Sequence, residues 1–295
     1  MMGGKSTGRK SSSATFAILL IAATAAPAQA QETGESFQYL YGSAEGAAIT
    51  RQSFNALVSF AIERKNQREA GRPLTQVVLA NGSSLDRPAF ESCGNKPLAA
   101  VFDVDETILL NIGFQYWDAQ RPADEPFSFK AWDQWEKTGY TKVVPLPGAL
   151  EAAKALRDAG VAVIYNTNRT TANAELTARA LEFAGFDKPV PGRDLFTDAD
   201  GSGKKDARRA AIAETYCVIA LSGDQMGDFS DLFDPKPVDI AARRAFTAAP
   251  ALAALWGQGW FVMPNSAYGK GIVGNLDTIF PDPALRWTYS EGQQP

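Results

Sequence analysis

Histidine is absent from all 295 residues. That absence removes Ser-His-Asp and Cys-His nucleophile chemistry and every histidine-ligated metal site. Acid–base work is left to carboxylates, lysine or tyrosine. Cysteine is scarce: Cys93 and Cys217 stand far apart with no CxxC pair, which excludes zinc ribbons and thioredoxin-like motifs. Basic charge is in deficit, with 29 Lys and Arg against 33 Asp and Glu. Such a balance does not suit non-specific binding to a nucleic-acid polymer. Long hydrophobic runs are also missing. The run "ATFAILLIAATAA" (14–26) falls short of the ~20 apolar residues of a membrane span. It follows Lys5, Arg9 and Lys10 and precedes "AQA" (28–30), the form of a secretory signal peptide cleaved after Ala30. A retained N-terminal anchor is the alternative. No Cys follows the apolar run, so a lipid-modified mature terminus is excluded, and Arg9-Lys10 is not a twin-Arg signal. Cleavage would remove three bases and no acid, leaving 26 bases against 33 acids, a net charge of −7. The expectation is a periplasmic or secreted protein without a stable membrane anchor.

The whole chain is 45% hydrophobic, enough for the remainder, residues 31–295, to form a sizeable core. Residues 31–45 read as a loose leader, 46–66 as a helix and 71–97 as a Gly/Pro/Asn/Ser-rich connection. Strands are expected at 98–102, 161–165, 217–222 and 260–263. Helices are expected at 148–159, 171–184, 204–215 and 238–256, with Gly160 and Gly185 as stop signals. Alternating strands and helices predict an α/β fold: a Rossmann-like, mostly parallel sheet with helices on both faces. An aromatic-rich insert at about 112–145 forms a small cap, and an N-terminal helical region precedes the sheet.

Ligands of such sheets bind beyond the C-terminal ends of the strands. There the sequence concentrates its chemistry. "AAVFDVDETILLN" (99–111) ends an apolar strand in Asp103, Asp105 and Glu106. Carboxylates gathered at a strand end repel and lose hydration unless something offsets the cost. Strand 161–165 delivers Asn166, Thr167, Asn168 and Arg169, and strand 217–222 delivers Asp224, Asp228 and Asp231. Lys204 and Lys205 open the helix feeding that last strand. Oxygen-only ligands beside a lysine suit Mg²⁺ and a substrate phosphate.

The ordered set "DVDET" (103–107), Thr167, Lys204 or Lys205, and "GDQMGD" (223–228) resembles the haloacid dehalogenase superfamily of phosphotransferases. "YGSAE" (41–45), "TNR" (167–169), "GDxxxDF" and "PNSAYG" (264–269) narrow the resemblance to bacterial class C acid phosphatases, a group that includes lipoprotein 5′-nucleotidases. It spans roughly residues 38–275. The chain departs from the pattern in lacking the lipid-bearing Cys, in "GDQ" for "GDN", and in "LLN" for an acidic "LDN".

The resemblance implies a Mg²⁺-dependent hydrolase of small phosphomonoesters. Asp103 would be the nucleophile and Asp105 the general acid and base. Asp103, the Asp105 carbonyl and Asp224 would hold the metal, with Asp228 close by or on a metal water. Thr167 and a lysine would hold phosphoryl oxygens. Counting back from "GD" favours Lys204, and aligning on Arg208 favours Lys205; Lys204 is preferred. A DxD spacing sets both carboxylates on one side if the chain stays extended. Most insert rings serve a local core; Trp117 and Tyr268 are candidates to stack on a substrate base, with Asn168 and Arg169 as polar contacts. Arg169 reads equally as a phosphate ligand or a structural ion pair. The family fold places Cys93 beside the start of strand 217–222, which implies a Cys93–Cys217 disulfide. A phosphotransferase using another acceptor, and a non-catalytic storage or binding protein, stand as alternatives.

Overall fold

A computed structural model of the chain describes residues 1, 3, 34–122, 125–236 and 239–289. The leader and its cleavage point lie outside the described residues. Leu98–Phe102 (β3) is buried at every position, as a central strand covered on both faces must be. It pairs in parallel with Ala162–Thr170 (β6) and Cys217–Gly223 (β8). Leu195–Asp198 (β7) and Trp260–Val262 (β9) complete a five-stranded parallel sheet in the order β7-β6-β3-β8-β9. The α/β expectation holds.

Side-chain alternation along β3 builds two cores. Ala100 and Phe102 face one cluster with Phe54, Leu57, Leu156 and Leu181; Ala99 and Val101 face another with Ile212, Phe229, Leu252 and Trp260. The helices Ala44–Glu69, Ala149–Asp158 and Ala174–Phe183 feed the first, and Asp206–Thr215 feeds the second. Gly160, at φ +78, follows the end of Ala149–Asp158, where a left-handed residue terminates a helix cheaply. Among the described residues no helix is long and apolar enough to cross a membrane.

Several elements differ from expectation. The stretch 71–97 holds an antiparallel pair, Thr75–Leu79 (β1) and Phe90–Ser92 (β2), too short and too Gly/Pro-flanked to stand out. β7 was expected as loop; its four residues "LFTD" are half polar. β6 runs five residues past Tyr165, carrying Thr167 and Arg169 within the strand. The helical stretch 238–256 breaks into Ile240–Thr247 and Pro250–Ala253, because Pro250 begins a new helix and cannot continue an old one. The end of the expected loose leader is helical at Glu35–Phe37 and Gln38–Gly42. The insert carries the helices Ile112–Asp118 and Phe129–Thr138, followed by a short pairing of Leu109–Leu110 (β4) with Val144–Pro145 (β5).

Cys93 and Cys217 form a disulfide with Cα atoms 4.8 Å apart. It lies at the N-terminal end of β8, opposite the carboxylate cluster. Replacing both cysteines by alanine should lower unfolding stability by about 2–5 kcal/mol while leaving kcat/KM within about twofold. Paired urea melts and rate assays check this; an unchanged melt would deny the bond a stabilising role.

Candidate active site

The segment after β3, the C-terminal part of β6 and the segment after β8 meet at one edge of the sheet. Asp103 is still in the sheet, its N–H donating to Ser222 O at 2.9 Å. The chain then turns. Val104 O accepts from the N–H groups of Thr107, Ile108 and Leu109, and Glu106 takes φ +52. Asp105 forms an isolated parallel bridge with Leu109, and the turn proper begins at Glu106.

Oxygens of Asp103, Asp224 and Asp228 lie within 4.8 Å of one another. The buried Lys205 ammonium bridges two of them, donating to Asp103 Oδ1 and to Asp228 Oδ1, the latter at 2.6 Å. The structure thus brings Lys205 into the cluster, and the preferred Lys204 stays exposed outside it. The cause is local. The Lys205 and Asp206 N–H groups donate to the Asp231 carboxylate, which fixes the start of the helix Asp206–Thr215 and turns the Lys205 side chain inward. Asp231 is anchored here and is no part of the cluster. Gly223 is required by close approach: a Cβ there would sit 2.1 Å from Asp228 Cβ. Arg209, buried, donates to the Gly227 and Asp228 carbonyls and holds the Asp228 turn.

Burial dominates the electrostatics. It pushes the Asp103 carboxyl well above the usual range, against the opposing pull of Lys205. Burial, with the Asp228 charge, pushes Asp224 up to about 7. Burial works against the Lys205 ammonium, but the Asp103 and Asp228 charges outweigh it and hold its pKa above the ordinary lysine value. Asp224 is oriented by donors from Thr107 Oγ1 at 3.1 Å, Gln225 Nε2 at 2.8 Å and Asn265 Nδ2 at 2.7 Å. Two buried carboxylates, Asp103 and Asp228, and the half-buried Asp224, with one lysine beside them, form a donor set of hard oxygens, which fits a divalent cation such as Mg²⁺. Asp103, Asp224 and Asp228 would supply the carboxylates; the Asp105 carboxylate is engaged elsewhere.

Asp105 Oδ1 accepts from Arg169 Nε at 2.9 Å, Arg169 Nη2 at 2.8 Å and Asn111 Nδ2 at 2.9 Å. Arg169 is buried, and its Nη2 also donates to Asn111 Oδ1 at 2.8 Å. Of its two sequence readings, the ion pair is the one the fold builds, with Nε and Nη2 both donating to Asp105. Thr167 Oγ1 lies 3.5 Å from Asp105 Oδ2. Asn168 is exposed and spent on Gly203 O and Arg208, so it is not gathered into the cluster.

Sequence reasoning gave Glu106 no role. It is wholly buried and accepts from Tyr41 Oη at 3.1 Å, Tyr268 Oη, Asn111 N at 2.8 Å and Asn111 Nδ2. Burial pushes it up to about 7, with the Asp105 charge adding to the shift. Burial and the Glu106 charge also raise the Tyr268 hydroxyl. Tyr268 is thereby tied by its hydroxyl to the catalytic loop. Trp117 is 41% exposed, tilted against Phe114, with the Arg121 guanidinium 5.0 Å from its ring centroid. The adjacency of Glu106 to the DxD pair was visible in the sequence; its partners Tyr41 and Tyr268, 227 residues apart, were not.

Comparison with known proteins agrees with this geometry. Residues 44–271 match the family model described as HAD superfamily, subfamily IIIB (Acid phosphatase). A class C acid phosphatase from Bacillus anthracis, solved with tungstate bound, superposes with TM-score 0.62 at 19% identity, covering 88% of this chain and 98% of that one. A second structure of the Bacillus anthracis class C acid phosphatase gives TM-score 0.61 at 20% identity over the same shares. A search of curated proteins finds no match. The family match spans most of the chain, the fold agrees with it, and four carboxylate-, hydroxyl- and lysine-bearing segments meet where that fold places its chemistry: the chain belongs to the acid phosphatases of haloacid dehalogenase subfamily IIIB and is a phosphomonoesterase.

Proposed function

We propose that the protein is a secreted or periplasmic, Mg²⁺-dependent acid phosphatase that hydrolyses small phosphomonoesters, nucleoside monophosphates and aryl phosphates foremost, through an aspartyl-phosphate. The observation that carries the reading is the cluster of Asp103, Asp224 and Asp228, with the buried Lys205 ammonium paired to Asp103 and Asp228.

Asp103 attacks phosphorus, forming an O–P bond as the ester O–P bond breaks. Asp105 gives its proton to the departing oxygen. It then takes a proton from the water that attacks the aspartyl-phosphate, which returns Asp103 and releases phosphate. Thr167 Oγ1 and Lys205 Nζ hold phosphoryl oxygens as charge spreads over them. Asp103, Asp224 and Asp228 would hold a divalent cation, which would supply charge neutralisation for the carboxylates and the phosphoryl group.

Export is supported by the leader's composition and by the Cys93–Cys217 disulfide, since such bonds persist in oxidising compartments. A flat leaving group is supported by the half-open Trp117 ring in the insert that follows the nucleophile loop. Base stacking is worth ~1–3 kcal/mol, or ~5–150-fold in relative efficiency. A panel of phosphomonoesters assayed with Mg²⁺ and with excess chelator tests the reading. Nucleoside monophosphates and aryl phosphates should exceed glycerol phosphate, chelator should abolish turnover, and Mg²⁺ should restore it. Asp224→Ala should reproduce the chelated state. Full activity in chelator would overturn the metal assignment, and equal efficiency on all esters would leave Trp117 with packing alone.

A further inference from the structure

The Asp105 carboxylate is held asymmetrically. Oδ1 takes three donors at 2.8–2.9 Å, from both arms of the Arg169 fork and from Asn111. Oδ2 has only the long contacts of Arg169 Nε at 3.3 Å and Thr167 Oγ1 at 3.5 Å. A carboxylate oxygen offers about two lone-pair directions, so Oδ1 is saturated and Oδ2 is the oxygen left to face a reacting group. It is also the one on the Thr167 side. Arg169 itself is immobilised. Its guanidinium lies 5.7 Å from the Trp132 ring centroid, its Nη2 also binds Asn111 Oδ1, and its backbone N–H donates to Thr167 Oγ1 at 3.1 Å. Trp132 is in turn fixed by its Nε1–H on Glu136 at 2.8 Å. A planar fork fits this pairing in a way a lysine ammonium cannot.

We infer that Arg169, with Asn111, is a positioning residue for Asp105. It binds Oδ1 and so presents Oδ2 to the leaving-group oxygen, and it makes no contact with phosphate. This rests on the reading of Asp105 as general acid. A proton donor matters most when the departing oxygen is strongly basic. Loss of its alignment therefore penalises poor leaving groups selectively, whereas loss of a phosphate ligand penalises all esters alike.

The test compares 4-nitrophenyl phosphate with phenyl phosphate, which match in size and differ in leaving-group basicity. The quantity read is kcat/KM, which covers steps through phosphoryl transfer to Asp103. Inhibition by inorganic phosphate is measured alongside. Arg169→Met should lose ~10²-fold or more on phenyl phosphate, within the range a general acid contributes, and under about tenfold on 4-nitrophenyl phosphate. The inhibition constant for phosphate should stay within about threefold. Arg169→Lys should recover only part of the loss, because it keeps the charge without the fork. Asn111→Ala should show the same leaving-group dependence in milder form, and it carries the decision together with Arg169→Lys if Arg169→Met does not fold. Equal losses on both esters with weakened phosphate inhibition would overturn the inference and make Arg169 a phosphate ligand. Asp105→Ala separates the two levels. If it lacks leaving-group dependence, the general-acid reading fails; if it shows that dependence while the Arg169 and Asn111 variants do not, only the positioning role fails.

Discussion

Asp103→Asn is expected to lower turnover by ~10⁴-fold or more and to leave the fold intact. An amide is a poor nucleophile, so phosphoryl transfer stops at its first bond. The substitution also removes one of three carboxylates crowded within 4.8 Å, and Lys205 keeps Asp228 as its partner. In cation-free buffer the variant should therefore melt no lower than the unaltered protein. Adding Mg²⁺ should raise the melting temperature of the unaltered protein by mass action and raise that of the variant much less. Asp105→Asn should retain the cation response and accumulate phosphoenzyme from an activated ester, detectable by intact mass. Near-normal hydrolysis by Asp103→Asn would sink the mechanism.

The second large effect falls on Lys205. Lys205→Met should cut kcat/KM by ~10²–10³-fold, the range for losing one preorganised donor to developing charge. Lys204→Met should leave kcat/KM within about threefold, because the Lys204 side chain is exposed and outside the cluster. The Lys205 substitution also strands buried carboxylates. Breaking a buried ion pair from one side costs about 3–5 kcal/mol, so urea unfolding without divalent cation should show a clear loss. Mg²⁺ should restore part of it by supplying the missing positive charge. A rate loss at Lys204 and none at Lys205 would reverse the assignment.

Strand-end chemistry was legible because it is local. An apolar run ending in DxD, TNR after a second run and GDxxxD after a third need only the rule that parallel strands discharge at one edge. Those three segments do meet, at one edge of the parallel sheet. What was missed depends on a few ångströms or on short strands. The choice between Lys204 and Lys205 turns on one residue at a helix start, and the Asp231 side chain that settles it lies 26 residues downstream. β2 and β7 are short and partly polar, and β1 is set between Gly71 and Pro73 on one side and Gly82 on the other, so turn residues mask its apolar run; their stability comes from neighbours.

The sequence by itself determined the reaction's vocabulary. Without histidine, with oxygen ligands and lysine at three strand ends, carboxylate chemistry on a phosphoester was the reading the residues supported, and the apolar runs separated by helices dictated the α/β sheet that gathers them. Only the tertiary structure decided how each charge is spent. Arg169 could as well have met a phosphate; the fold instead aims it at Asp105 and Asn111. Tyr41 and Tyr268 could as well have been surface rings; the fold closes both hydroxyls on Glu106. The physical reason is that a pairing between residues tens to hundreds of positions apart is set by burial. Desolvation makes an unpartnered charge costly, and which partner lies within reach is known only once the chain has packed.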